Sequence, residues 1–416
     1  MSNRLIIKNA AQLVTCSGFA AKPGAAMADL GIIENGALIA EEGIIRTVGS
    51  THRILDGVDL QASTVVDASG KAVLPGFVDS HTHFPFAGYR PEEYGWRLAG
   101  MRYMEIMERG GGIVNTMAAT RKAGRQELID LGRRRLDAML AMGVTTVEGK
   151  SGYGLDLETE IKQLEVMAAL NANHPVDIVA TFLGAHAVPP EYEGRSDDYI
   201  DFIIGEVLPV VSERRLAQCC DVFCEKGVFT PAQSRRLLLA AQRYGLQLKL
   251  HADEIVSLGG AELAAEVGAL SADHLLQATD AGMDAMARAG VVATLLPATA
   301  FSLKEPYARA REMMRRECSV ALATDFNPGS SFTFSVPLIA ALAALHMELT
   351  PEEIVSALTI NGAAALGRAN LVGSLDVGKA ADIIVLEYPS YRFIPYHLGV
   401  NIVQKVIKGG RVVVEN

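Results

Sequence analysis

The stretch PGFVDSHTHF, residues 75–84, sets two of the chain's nine histidines one residue apart at the end of an apolar run. On an extended strand, residues two apart share a face, so His81 and His83 would aim both imidazoles at one point. A metal site needs that arrangement, but an isolated pair also arises as an ordinary polar strand end. Which reading holds depends on what the rest of the chain brings to the same place.

Seven further β-branched runs follow, separated by helical patterns: GVTTVEGKSG, VDIVATFLGAH, CDVFCEKGVF, LQLKLHADE, ALSADHL, GVVATLLP and SVALATDFNPG. Between them, RQELIDLGRRRLDAMLAMG and LETEIKQLEVMAALNANHP carry apolar residues three and four apart, the period of an amphipathic helix. Gly143, His174–Pro175 and Gly245 mark helix ends. Eight strand-then-helix units favour a closed (β/α)8 TIM-like barrel over residues 69–369, with an open doubly wound sheet as the alternative. The flanks, residues 1–68 and 370–416, alternate short strands with Gly- and Asp-containing turns. Neither closes a core alone. Together they are expected to form one small β-sandwich domain built from both chain ends.

The totals narrow the class. A chain of 416 residues, 50% hydrophobic and 21% charged, can bury a large globular core. A net charge of −10 argues against nucleic-acid and membrane-surface partners and leaves a small-molecule substrate open. Five cysteines, three of them between 219 and 224, have neither zinc-finger spacing nor the even count of a secreted disulfide framework. No apolar run reaches spanning length. The expectation is a soluble, cytoplasmic protein, and a homodimer as the commonest assembly.

In such a barrel the chemistry sits where strands end and helices begin. Those ends carry His81 and His83, Lys150 to Tyr153, His186, His251 with Glu254 three residues on, Asp273–His274, and Asp325 to Gly329. His81, His83, His251 and Asp325 make three nitrogens and one oxygen, a set suited to one Zn2+ or Fe2+/Fe3+ per subunit. A cation held this way lowers the pKa of a bound water toward neutral. Glu254 is the first choice for the carboxylate that carries the proton, and Asp325 the second. His274 reads as an oxyanion-stabilising group or a support behind the ligands. Each has an ordinary reading too: Asp325 as a helix cap, Glu254 as a solvated acid, His274 as a core histidine. Their coincidence on one rim is what argues for chemistry. Lys150 and Lys226 read as surface or rim lysines; His52, His174, His346 and His397 read as structural. The Gly110–Gly112 run reads as a flexible loop near the barrel mouth.

The segments PGFVDSHTH, LHADE, SADHL and ATDFNPG resemble the metal-dependent amidohydrolase superfamily, whose members pair such a barrel with a β-domain from both chain ends. Longer segments, among them KSGYGLDLETEIKQL, TFLGAHAVPPEY and LHADEIVSLGGAELAAEVGALSADHL, are similar to the branch that opens a cyclic amide in histidine breakdown. They are spread from Pro75 to about Gly367. The resemblance implies hydrolysis of 4-imidazolone-5-propanoate to N-formimidoyl-L-glutamate, with His81, His83, His251 and Asp325 on one metal ion. It implies that Arg90, Tyr103, Tyr153, His186, Glu254 and Ser330 contact the substrate, and that Asn327 and Gly329 meet the product's glutamate portion. Arg90 also fits on chemistry alone, since a guanidinium grips a carboxylate tail in bidentate fashion. The alternatives are a related deaminase or cyclic amidase acting on another small heterocycle, and a non-catalytic barrel scaffold.

Overall fold

A computed structural model describes residues 4–101, 105 and 111–416. Eight strands form its barrel: β1 (Phe77–Asp79), β2 (Val144–Lys150), β3 (Asp177–Ala185), β4 (Cys219–Cys224), β5 (Gln247–Ala252), β6 (Ser271–His274), β7 (Val292–Leu295) and β8 (Ser319–Leu322). They lie side by side in sequence order, every neighbouring pair parallel. Parallel neighbours need crossovers, and helices such as Arg125–Ala141, Leu157–Asn173 and Pro231–Arg243 supply them. The expected helical patterns therefore form where the apolar spacing placed them. Asp156 caps the second, accepting from the Thr159 amide at 2.6 Å, and the helix stops at His174 before Pro175. The inward face of Arg125–Ala141 buries Leu128, Leu136 and Met139, each contributing about 2 kcal/mol when fully removed from water.

The hydrogen-bond ladder does not run continuously from β8 back to β1. The residues just beyond both strands close the gap. The Asp325 amide donates to the His81 carbonyl at 3.0 Å, and the His83 amide to the Phe326 carbonyl at 2.9 Å. One step below, the Asp79 carboxylate accepts from the Thr324 amide at 3.0 Å and hydroxyl at 2.6 Å. The barrel is thus sealed beside His81, His83 and Asp325, three of the residues expected from the sequence to hold a metal ion.

Both chain ends join in a second, mixed eight-stranded sheet. Strand Arg4–Val14 pairs antiparallel with Ile32–Glu41 and parallel with Thr64–Asp67 and Ala72–Pro75; Ile383–Leu386 bonds Ala72–Pro75 from the C-terminal side. Its alternation is clean: Ile383 and Val385 enter a small core with Leu5, Ile7 and Val73, while Ile384 and Leu386 face the large barrel core. The apolar run that leads into the paired histidines divides at Gly76 between the two sheets. A Cβ there would lie 2.3 Å from Thr145 Oγ1, so only glycine lets the chain pass so close to β2. Among the described residues no helix is long and apolar enough to cross a membrane.

Candidate active site

His81 and His83 follow β1 directly, His251 lies within β5, His274 ends β6, and Asp325 stands three residues beyond β8. The fold brings all five together, each at most 3% exposed. The Nε2 atoms of His81 and His83 are 3.3 Å apart, and they lie 3.4 and 3.5 Å from Asp325 Oδ1. One donor atom from each of His81, His83 and His251 falls within 4.8 Å of the other two, and the same holds for His81, His274 and Asp325. His274 therefore stands as close to the centre as the residues the sequence reading made ligands. His274 and Asp325 both adopt left-handed backbone, with φ of +75° and +51°, which costs about 1 kcal/mol or more for a residue with a side chain.

The donor set suits a cation. Nε2 of His251 and both ring nitrogens of His274 are buried without a hydrogen-bond partner among the described residues. Each such orphan costs about 1–3 kcal/mol, and the Nε2 atoms of His81 and His83, 3.3 Å apart, set two lone pairs against each other unless one of them carries a proton. A metal ion at their convergence resolves both problems with ligands of the zinc type. The far sides of the rings are held: His81 Nδ1 is 2.6 Å from Asp273 Oδ2, His251 Nδ1 is 3.0 Å from Asp221 Oδ2, and Thr299 donates to Asp325 Oδ2 at 2.6 Å.

A cavity of about 450 Å³ opens beside this cluster, lined by Arg90, Tyr153, His186, Glu254, Asn327 and Ser330 among others. Burial pushes the Glu254 carboxyl up to about 8, helped by the negative charges of Asp325 and Glu225. Its Oε1 lies 3.6 Å from His274 Nδ1. Burial, with His83 adding to it, pulls His186 down to about 3, so its ring is neutral. His186 Nδ1 donates to the Gly152 carbonyl at 2.9 Å, leaving Nε2 as an acceptor, and the ring stacks on His83 at 4.9 Å. Burial also pulls His274 down to about 4 and raises the Tyr153 phenol above its ordinary range, so Tyr153 remains a donor.

Arg90 owes its place to Pro91, which opens the helix Pro91–Leu98 and leaves Arg90 at the N-cap. Its Nε donates to the Pro328 carbonyl at 3.4 Å. Asn327 spends its side chain on the turn itself: Oδ1 accepts from the amides of Gly329 and Ser330, both at 2.8 Å, and Nδ2 donates to the Asp325 carbonyl at 2.7 Å. It shapes the loop that presents Gly329 and Ser330. Tyr103 and Gly110 lie outside the described residues.

Two features escaped the sequence reading. Lys226 is exposed as expected, but Lys150 is no rim lysine: it is fully buried, with Nζ 2.6 Å from Asp221 and 2.9 Å from Glu148. Glu148 and Lys150, two apart on an apolar strand, share one face, and that spacing was the available signal. Arg97, in the last turn of Pro91–Leu98, also lines the cavity and donates to the Gly329 carbonyl at 3.4 Å and to Ser302 Oγ at 3.2 Å.

Comparison with known proteins shows the family and the fold. A profile of the amidohydrolase family matches residues 101–414. The imidazolonepropionase of Parabacteroides distasonis is 60% identical over 409 residues, 98% of each chain, and that of Clostridium tetani is 59% identical over the same span and coverage. The chain belongs to the imidazolonepropionase family. Its fold is shared much more widely. An adenosine deaminase from Xanthomonas campestris with bound zinc superposes with a TM-score of 0.71 at 18% identity, covering 99% of this chain and 93% of that one. E. coli guanine deaminase does so with a TM-score of 0.71 at 18% identity, covering 99% of both. At that identity the likeness speaks for the barrel and its companion sheet alone.

Proposed function

We propose that this chain hydrolyses the ring amide of 4-imidazolone-5-propanoate to N-formimidoyl-L-glutamate, a step of histidine degradation. The observation that carries the reading is that Arg90 and the histidine–aspartate cluster line one cavity. A propanoate tail needs a cation, and a ring carbonyl needs a polarising group in the same pocket; the lining supplies Arg90 for the first and donors that would hold a metal ion for the second. The imidazolonepropionase relatives match over nearly their whole length, which supports the same chemistry here.

In this reading His81, His83, His251 and Asp325 hold one Zn2+ or Fe2+/Fe3+ per subunit. When bound, the metal supplies Lewis acidity and a lowered pKa for water at the site. Arg90 binds the carboxylate tail, and Ser330, Tyr153 and neutral His186 orient the ring by hydrogen bonds. Glu254 takes the proton from the attacking water and returns it to the departing ring nitrogen, with Asp325 as the second choice for that role. His274 steadies the charge that develops on the carbonyl oxygen. We place the chain in the cytoplasm, where its five free, buried cysteines stay reduced, and as a homodimer.

The rival reading is deamination of another heterocycle, the activity named for the adenosine and guanine deaminases of like fold. Arg90 favours the acidic substrate. A steady-state assay of metal-loaded protein on freshly prepared imidazolone propionate, with guanine alongside, separates the two: turnover of the first alone is expected, and turnover of guanine alone would transfer the site to the rival.

A further inference from the structure

Beneath the donor cluster the barrel interior holds five fully buried charged side chains: Glu148 and Lys150 from β2, Asp221 from β4, Lys249 from β5 and Asp273 from β6. Burying this many charges is costly, and apolar side chains of similar volume would serve stability as well or better. Stability does not explain the cluster. Its connections do.

The Lys150 ammonium lies 2.6 Å from Asp221 Oδ2, 2.9 Å from Glu148 Oε2 and 3.6 Å from Asp273 Oδ2. Two of these oxygens are the very atoms that face the ligand histidines: Asp221 Oδ2 is 3.0 Å from His251 Nδ1, and Asp273 Oδ2 is 2.6 Å from His81 Nδ1. The second oxygen of each acid is fixed from another side. Asp221 Oδ1 accepts from the amides of Val222 at 2.6 Å and His251 at 3.1 Å, and Asp273 Oδ1 accepts from the Ser271 hydroxyl at 2.6 Å. Ser271 Oγ in turn accepts from Lys249 Nζ at 2.8 Å. One ammonium therefore spans two carboxylates that come from different strands and hold different histidines.

We infer that Lys150 is a positioning residue for the metal centre: its ammonium cross-links Asp221 and Asp273, and through them holds His81 and His251 with Nε2 turned toward the cation. An imidazole whose Nδ1–H points at a carboxylate is locked in the tautomer and orientation that offer Nε2 as a lone pair. Two such rings must also keep a fixed separation, and a shared counter-charge sets it. Lys150 itself is no metal ligand, because an ammonium that donates to Asp221 and pairs with Glu148 has no lone pair to give. The inference rests on the reading of His81 and His251 as ligands.

The test compares the wild-type chain with Glu148→Gln and with the charge-balanced pair Lys150→Met/Glu148→Gln, which removes one positive and one negative charge together. Zn2+ affinity is measured by competition with a chromophoric chelator, ligand geometry by the visible spectrum of the Co2+-loaded protein, and folding by circular dichroism. The pair is expected to fold, to bind Zn2+ about 10- to 100-fold more weakly and to shift the Co2+ bands, with Glu148→Gln alone losing clearly less. A folded pair with wild-type Zn2+ affinity and an unchanged Co2+ spectrum overturns the inference. So does Glu148→Gln alone reproducing the whole loss, or a pair that fails to fold in the presence of Zn2+, which would make Lys150 a structural residue only. If the wild-type chain itself takes up neither Zn2+ nor Co2+, the ligand reading falls first, a result distinct from all of these.

Discussion

The guanidinium of Arg90 fills the space that a side chain on Gly329 would need: Nη2 lies 1.6 Å from where a Cβ would stand. The loop after β8 and the N-cap of the helix Pro91–Leu98 thus meet without a spare methyl group between them. Gly329→Ala must displace either the guanidinium or the loop that carries Ser330. We expect at least a tenfold loss in kcat/KM, carried mainly by KM, because a displacement near 1 Å at a binding group costs about that much or more. Metal content and Tm should stay near wild type. Steady-state kinetics beside a thermal melt checks this, and unchanged kinetics would show that the loop yields freely.

Removing the guanidinium itself tests the substrate tail. Charge-assisted hydrogen bonds contribute about 1.5–3 kcal/mol, so Arg90→Ala should raise KM by about 10- to 100-fold and leave kcat nearly intact, as expected for a contact made equally in ground and transition states. Arg90→Lys keeps the charge and loses the fork, so its KM should fall between the two. A wild-type KM in the Ala variant would detach the carboxylate from Arg90.

Glu254 predicts a pH profile. With its carboxyl raised to about 8, first by burial and then by Asp325 and Glu225, it is neutral below that pH and cannot accept a proton. Activity that needs the carboxylate must therefore rise with pH. A bound cation nearby favours the ionised form, so the midpoint of the rising limb in kcat/KM should lie at or below about 8. Glu254→Gln should lower kcat by about 10²- to 10⁴-fold, abolish that limb and keep its metal. Wild-type turnover by the Gln variant would move the proton-transfer role to Asp325.

How much of this was written in the chain can be judged residue by residue. The barrel was legible because nearly every β-branched run delivers a polar group at its end, and His81, His83, His251 and Asp325 stand at or beside such ends. The split at Gly76 was not, since AVLPGFV is apolar throughout and hydrophobicity does not say which of two sheets a strand joins. Lys150 was misread because lysine is seldom buried without partners, and its partners Asp221 and Asp273 lie 71 and 123 positions away in the chain. Asn327 was legible as a loop residue of the site, but its consumption by its own turn depends on backbone geometry that composition does not carry.

Metal removal puts the donor cluster itself at stake. Without a cation, the unpartnered nitrogens of His251 and His274 remain buried, so the stripped protein should be inactive and less stable. A cation held at a thousand times its dissociation constant stabilises the native state by about 4 kcal/mol. In a chain of this size that corresponds to a Tm lower by on the order of 5 °C after stripping. Dialysis against a chelator followed by a thermal melt and an assay measures both quantities, and adding Zn2+ or Fe2+ should restore them together. Activity that survives complete stripping would mean that the three histidines and the aspartate converge for some purpose other than holding an ion. The reaction would then have to run on Glu254 and His274 alone.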